Sequence, residues 1–222
     1  MKTLILTTCV GYPEVVRAKF LKSLDDTGYE GSLYILDNLP EADFETFMLQ
    51  RVKAYSSFLD TTHIEYDTVI VTDLRDVLFQ RDPSTIAHSD LDFFLEDESM
   101  SLRSCPHNSQ KIIEGFGQEC LDNIGENFIS CAGVVIGSLS AMRNYYRQML
   151  NYQEINNAND QAIHNFLLYS DIVAARTVKN EEGDVYTLHY STGITVFKHK
   201  IYNKHGKIPA IVHQYDRHLI TL

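Results

Sequence analysis

The chain has 222 residues, 44% of them hydrophobic, so it is long enough to bury a sizeable core in one large domain. Its 30 acidic and 19 basic residues give a formal net charge of −11, which argues against a nucleic-acid partner. No apolar run approaches the length of a membrane span, and the four cysteines lack the spacing of a zinc site. We therefore expect a cytoplasmic protein with reduced thiols, folded as a single domain over residues 1–222.

Strand and helix patterns alternate in the first part of the chain. We interpret residues 4–6 as a first strand, because this apolar run is too short for a signal peptide. A helix is predicted over residues 13–28, a strand at 33–37 and a second helix across 44–58. This order predicts a parallel sheet with right-handed crossovers, half of a doubly wound fold. The glycine-rich motifs of dinucleotide-binding and P-loop proteins do not occur in the sequence.

A third strand, at residues 69–71, is followed at once by charge. Its β-branched residues show no alternation, which is typical of a strand covered on both faces. Asp73, Arg75 and Asp76 come next, where open α/β sheets bind their ligands. The two carboxylates suit Mg²⁺ or Mn²⁺, and such an ion could neutralise a departing diphosphate. Arg75 could bond to a phosphate or to one of the carboxylates.

The remaining chain continues the mixed pattern. We predict a strand at 92–96, a helix over 109–123, a strand at 128–138 and a helix through 142–150. A glycine inside a strand, here Gly133, often marks the close approach of a ligand or of another backbone. Asn159 or Asp160 is a suitable N-cap for the next helix. Short apolar pieces then predict a smaller antiparallel part, at residues 172–178, 185–190 and 195–197, and a last strand that ends at His213.

Four motifs, taken together and in order, resemble those of the GT-A fold glycosyltransferases. The segment from Thr72 to Asp76 resembles their D-x-D metal motif in a spaced D-x-x-D form. Residues 130–137 resemble the N-A-G-V-x-x-G strand that lines their sugar-donor pocket, with cysteine at position 131 where many relatives have asparagine. Asn159-Asp160-Gln161 resembles their D-Q step, and His213 resembles the late histidine that completes their metal site. The similarity spans nearly the whole chain.

This resemblance implies a GT-A-like α/β fold. Its mostly parallel central sheet would be flanked by helices, with a Rossmann-like nucleotide-binding half at residues 1–100. An acceptor and donor-sugar half would follow at 101–222. It further implies a Mn²⁺- or Mg²⁺-dependent enzyme of glycan biosynthesis. The enzyme would move a hexose-type sugar from a UDP-sugar donor to a glycan or other hydroxyl acceptor.

The resemblance also implies roles for individual residues. The metal ligands would be Asp73, Asp76 and His213. Asp160 would be the catalytic base of an inverting enzyme, or would position the sugar in a retaining one, and Asp97 is the reserve candidate for the base. Tyr12 could stack on uracil, and Arg51 or Lys53 could reach the phosphates. The full set expected to bind the donor is Thr7, Thr8, Tyr12, Arg51, Asp73, Arg75, Ala132 and Gly133.

Rival functions remain open at this point. A haloacid-dehalogenase-like phosphatase also places an aspartate after an apolar strand, but it needs a second aspartate where Arg75 stands. A catalytically inactive module that binds a nucleotide sugar would keep the same motifs. A nucleotidyltransferase would usually carry a glycine-rich phosphate loop, for which Gly11 alone is poor support. The basic stretch 198–207 could be a loop that closes over the diphosphate, or a solvated hairpin.

Overall fold

The computed structural model describes residues 2–40, 42–96, 98–189 and 194–218. The helices in these ranges are α1 (Glu14–Asp25), α2 (Phe44–Thr61), α3 (Pro106–Phe116), α4 (Gln118–Ile124), α5 (Leu139–Asn156) and α6 (Asp160–Tyr169). The strands are β1 (Thr3–Thr8), β2 (Ser32–Leu36), β3 (Thr68–Thr72), β4 (Val77–Phe79), β5 (Leu91–Leu95), β6 (Ser130–Gly137), β7 (Arg176–Val178), β8 (Val185–Thr187), β9 (Thr195–Phe197), β10 (Lys200–Tyr202) and β11 (Ile211–His213). No helix among the described residues has the length and apolar character needed to span a bilayer.

A six-stranded sheet forms the centre of this α/β fold, in the order β2-β1-β3-β6-β5-β7. Strands β1, β2 and β3 are mutually parallel, and β5 pairs in parallel with β7. Strand β6 lies between β3 and β5 and is antiparallel to both. The prediction of a mostly parallel central sheet is therefore confirmed, with one reversed strand that the alternating pattern did not predict.

The central sheet is covered on both faces, as the apolar run in β3 predicted. Val69 and Val71 face a layer formed by α2, α5 and α6. Ile70 faces the other side, against α1 and the short strands β4, β8 and β11. Because both faces of β3 are buried, its sequence does not alternate between polar and apolar residues. The same burial leaves the charged residues that follow β3 at the edge of the core.

The C-terminal part differs from its prediction as a purely antiparallel unit. Strands β9 and β10 do form an antiparallel hairpin, and β11 is antiparallel to β4. However, β7 is parallel to β5, and β8 is parallel to β11. These short strands pair with partners far away in the sequence, so local pattern could not reveal their direction. Strand β4, which anchors β11, was missed because its three residues directly follow the charged turn.

One predicted helix is two helices in the structure. The apolar spacing over residues 109–123 ran through Gly117, but this glycine ends α3 with a φ of 84° and precedes α4. Glycine adopts a positive φ with little steric cost, and a residue in that conformation ends a helix. Gly117 therefore separates α3 from α4. In contrast, the predicted N-cap of α6 is confirmed, because the side chain of Asn159 accepts a hydrogen bond from the backbone N–H of Ala162.

Helix α6 is hydrogen-bonded to Ser130, the first residue of β6. The side chain of Asn165 accepts a hydrogen bond from the Ser130 N–H and donates one to the Ser130 carbonyl, both at 2.9 Å. The buried ring of His164 hydrogen-bonds with the Ser130 hydroxyl and with the Tyr145 hydroxyl, each at 2.8 Å. Burial lowers the pKa of His164 to about 3, so this ring stays neutral at ordinary pH.

We expect the neutral state of His164 to make folding sensitive to acid. Because its pKa is lower in the folded than in the unfolded chain, the unfolded state binds the extra proton below about pH 6.5. Stability should then fall by roughly 1.4 kcal/mol per pH unit through this group as the pH decreases toward 4. Urea unfolding of His164→Gln should lack this component, whereas His63→Gln, at an exposed position, should keep it. An unchanged slope in His164→Gln would refute the assignment.

Candidate metal centre

Three strand ends bring the predicted metal ligands together. The ladder between β3 and β6 extends one residue further, because the Asp73 N–H donates to the Gly133 carbonyl at 2.8 Å. The chain then turns, and Asp76 immediately precedes β4. In the antiparallel pair of β4 and β11, His213 lies opposite Val77. The turn after β3 and the β4–β11 register therefore place two carboxylates and one imidazole at a single point.

The geometry of these three groups is that of a potential cation site. The Nε2 atom of His213 lies 3.5 Å from Oδ2 of Asp73 and 3.6 Å from Oδ1 of Asp76. One ligand atom from each residue lies within 4.8 Å of the others. His213 and Asp76 are buried, whereas the Asp73 side chain is 27% exposed. The Nε2 atom is buried without a hydrogen-bond partner, as expected of an atom that a metal would complete.

Gly133 makes this convergence possible. A Cβ atom at this position would lie 2.2 Å from Cε1 and 2.5 Å from Nε2 of His213. It would also lie 2.8 Å from Oδ2 of Asp73. Real Cβ contacts are not that short, so any side chain here would displace the imidazole or the carboxylate. The sequence predicted that Gly133 marks the close approach of a ligand or of another backbone; the groups that approach it in the structure are the side chains of His213 and Asp73.

The pKa values of Asp73 and His213 are shifted in opposite directions. Burial by itself raises the pKa of Asp73, but the Arg51 guanidinium and His213 outweigh it and hold this pKa well below its usual range. Burial lowers the pKa of His213, whereas the neighbouring Cys131, Asp73 and Asp76 raise it, and the net direction is well above the ordinary value. Without a cation, the site thus holds a proton on the imidazole beside the ionised Asp73.

Arg51 connects the metal centre to the start of α6. Its side chain extends from α2, and its Nη1 donates to Oδ1 of Asp73 at 2.5 Å. Its Nη2 donates to Oδ2 of Asp160. The guanidinium is largely buried, and a buried charge is stable only when it is paired. The predicted donor-binding arginine and the predicted base are therefore in direct contact through one ion-paired unit.

The other predicted donor-binding residues lie around this unit. Ala132 and Gly133 line a narrow cavity beside Arg51 and Asp160. The Ala132 N–H already donates to Oε1 of Gln161 at 2.9 Å, so it is engaged within the protein.

At the end of β1, Thr7 is completely buried, and the hydroxyl of Thr8 hydrogen-bonds with that of Tyr55 at 3.2 Å. Tyr12 is half-buried, and burial and then the charge of Asp73 raise its pKa. Arg75 is half-exposed and pairs with Asp76 at 3.3 Å and Asp216 at 3.2 Å.

The two remaining predicted residues are Asp97 and Lys53. Asp97, the reserve candidate for the base, is outside the described residues. Lys53 lies on the exposed face of α2, where its Nζ is 3.8 Å from Glu154.

Sequence reasoning missed several side chains of this site. The hydroxyl-bearing rings of Tyr55, Tyr145 and Tyr146 line the cavity beside Arg51, although their helical spacing indicated only core packing. Glu96 and Gln214 were also missed, and both lie around the imidazole of His213. Glu96 directly follows β5, so the rule that ligands gather at strand ends could have identified it.

Comparison with known proteins adds no assignment. The sequence matches no protein-family model, and no curated protein matches it. Functional inference for this chain therefore depends on the geometry of the site and on the motifs in its own sequence.

We expect Gly133→Ala to damage both the fold and the metal centre. The new methyl group should destabilise the protein by about 1–3 kcal/mol, since it overlaps the His213 ring. The cost of Gly133→Ala should be smaller in a His213→Ala background, where the overlap with the ring is gone. Urea unfolding of the four proteins in this double-mutant cycle measures the coupling, and strictly additive costs would contradict the proposed contact.

Proposed function

We propose that the protein is a metal-dependent glycosyltransferase with a GT-A-like fold. It would move a hexose-type sugar from a UDP-sugar to a glycan or other hydroxyl acceptor. The observation that carries this proposal is the convergence of Asp73, Asp76 and His213, with one ligand atom from each inside 4.8 Å, at the end of a central strand. The four motifs that resemble the GT-A enzymes meet at this point or, in the case of the D-Q step, are linked to it by Arg51.

The donor set fits a hard divalent cation. Two carboxylates and one imidazole suit Mn²⁺ or Mg²⁺, and the orphaned Nε2 of His213 supplies a buried lone pair once its proton has left. A cation held there would neutralise negative charge on the diphosphate of the leaving nucleotide. Arg75 is half-exposed at the rim of the same site, where its guanidinium could bond to a phosphate oxygen.

Arg51 and Asp160 would act at the transferred sugar and the acceptor hydroxyl. The guanidinium holds the two carboxylates at a fixed separation, because it bonds to Asp73 with one nitrogen and to Asp160 with the other. We assign Asp160 the role of accepting the proton of the acceptor hydroxyl if configuration is inverted. If configuration is retained, Asp160 instead positions the sugar. Tyr12, half-buried beside the metal centre, is the candidate for stacking on the base.

The phosphatase alternative receives less support. Such an enzyme attacks with an aspartate that follows a strand, and a second aspartate two residues later handles the proton. Here the second position is Arg75, and the first, Asp73, has a carboxylate oxygen bound to Arg51 at 2.5 Å. An inactive module that binds a nucleotide sugar would have the same metal centre, so turnover of donor distinguishes it from the transferase.

The direct test is thermal unfolding with UDP, GDP, CMP or ADP, each with and without Mn²⁺. A ligand at about one hundred times its dissociation constant stabilises the folded state by roughly 2.7 kcal/mol. We expect a shift for UDP that requires Mn²⁺, followed by hydrolysis or transfer in a screen of UDP-sugars. If no nucleotide shifts the transition, the transferase proposal is wrong.

Asp76→Ala should abolish Mn²⁺-stimulated turnover and the Mn²⁺-dependent UDP shift. Asp76 is buried at the turn and pairs with Arg75, so circular dichroism and urea unfolding of the variant separate loss of the metal ligand from loss of the fold. Asp60→Ala is a matched control, since Asp60 pairs with Arg147 on the surface of α2. Full turnover in Asp76→Ala would remove the metal centre from the mechanism.

Mn²⁺ affinity should rise with pH. The imidazole of His213 holds a proton at neutral pH because its pKa is raised well above the ordinary value. A cation that takes Nε2 must displace that proton, so affinity should increase by about tenfold per pH unit below this pKa. Calorimetry in two buffers of different ionisation enthalpy would count one proton released per ion. A pH-independent affinity would place the ion away from His213.

A further inference from the structure

The second ring nitrogen of His213 faces a thiol. Its Nδ1 lies 3.4 Å from Sγ of Cys131, the second residue of β6. Both residues are buried, at 1% and 3% exposure. A thiol has one hydrogen to donate and a sulfur that can accept a hydrogen bond. In a strand, residues two apart point to the same side, and Cys131 accordingly shares with Gly133 the side that faces His213.

A buried carboxyl group lies beyond the thiol. Glu96 follows β5, which neighbours β6, and its N–H donates to the Ile129 carbonyl at 2.8 Å. Its side chain is buried and lies close enough to Cys131 and Gln214 to interact with both. The Nε2 of Gln214 lies 3.9 Å from the Cys131 sulfur. A buried thiol, a buried carboxyl group and a buried amide therefore lie next to one another beside the imidazole.

The number of hydrogens that each group can donate decides the direction of the hydrogen bonds that link Glu96, Cys131 and His213. The thiol has a single hydrogen, and the carboxyl group of Glu96 has an acceptor oxygen in either protonation state, so the Cys131 S–H points toward Glu96. The sulfur is then left as the acceptor for the Nδ1–H of His213. With the proton fixed on Nδ1, the other nitrogen, Nε2, presents its lone pair to Asp73 and Asp76 when a metal replaces its proton.

We propose that Cys131 and Glu96 are positioning residues that orient His213 for metal binding, as a carboxyl–thiol–imidazole chain. Metal-bound histidines generally donate their second N–H to an acceptor, which fixes the orientation and tautomer of the ring. In this protein the acceptor is a thiol, which in turn is held by a carboxyl group. The cysteine at position 131 therefore acts on the metal centre and need not contact the donor sugar. This inference rests on the metal site of the proposed function.

Mn²⁺ affinity of cysteine variants tests the chain directly. We expect Cys131→Ala to weaken binding about 10- to 100-fold, measured by the electron paramagnetic resonance signal of free Mn²⁺. Cys131→Ser keeps an acceptor for Nδ1–H and should recover most of the affinity. Cys105→Ala is the matched control, since it removes an equally buried thiol from a different part of the core. Cys131→Ala with wild-type affinity would overturn the proposal.

A second readout does not need the metal. In ¹⁵N-histidine-labelled, metal-free protein, the Nδ1–H of His213 should give a slowly exchanging ring resonance, identified by its loss in His213→Gln. This resonance should vanish or exchange rapidly in Cys131→Ala and persist in Cys131→Ser and Cys105→Ala. Its persistence in Cys131→Ala would also overturn the role of the thiol, even if that variant has lost stability.

Different results would contradict the transferase proposal and the positioning role of Cys131 and Glu96. If the wild-type protein does not bind Mn²⁺, the metal centre and its positioning chain are both wrong. If Mn²⁺ binds and responds to Cys131→Ala as expected, but no UDP-sugar is turned over, the transferase is wrong and the positioning role stands. If turnover occurs and Cys131→Ala binds Mn²⁺ normally, only the positioning role is wrong.

Discussion

The pairing of β11 with β4 is the contact on which the candidate site depends. The two aspartates come from one turn, and that turn alone supplies too few ligands to enclose a cation. His213 reaches them only because the antiparallel register places it opposite Val77. The pair is buried on the apolar side of the central sheet, where Val77, Phe79 and Ile211 pack with α1. Burial of these side chains, each worth roughly 1.5–3 kcal/mol, is what fixes the imidazole beside the carboxylates.

Charge balance explains the second feature of the site. The carboxyl groups of Asp73, Asp76 and Asp160 pair with the guanidinium groups of Arg51 and Arg75. A buried ion is costly unless it is paired, so Arg51 is needed to hold Asp73 and Asp160 in the interior. Arg75 is shared between Asp76 and Asp216, so the guanidinium groups do not balance the carboxyl groups around His213. That imbalance favours either a proton on the imidazole or a divalent cation in its place.

Strand β6 supplies the inner wall of the site. Within a few residues it provides the glycine that admits His213 and Asp73, the thiol that contacts Nδ1, and the backbone groups bound by Gln161 and Asn165. Its reversed direction between β3 and β5 brings its first residues to the carboxyl end of β3. A parallel strand at this position would present its last residues there instead. The orientation of one strand therefore decides which side chains surround the metal centre.

Local sequence determined much of this protein, because the relevant forces act over short distances along the chain. Apolar runs, helical spacing and capping chemistry located β1 to β3, α1, α2 and the Asn159 cap, and the charge after β3 indicated the two carboxyl groups of the candidate site. Tertiary structure alone decided the reversal of β6, the formation of β4, the bridge made by Arg51 and the contact between Cys131 and His213. Each of these joins residues far apart in sequence, and no periodic pattern encodes such a contact. They arise when burial of the sheet forces distant polar groups to pair with one another.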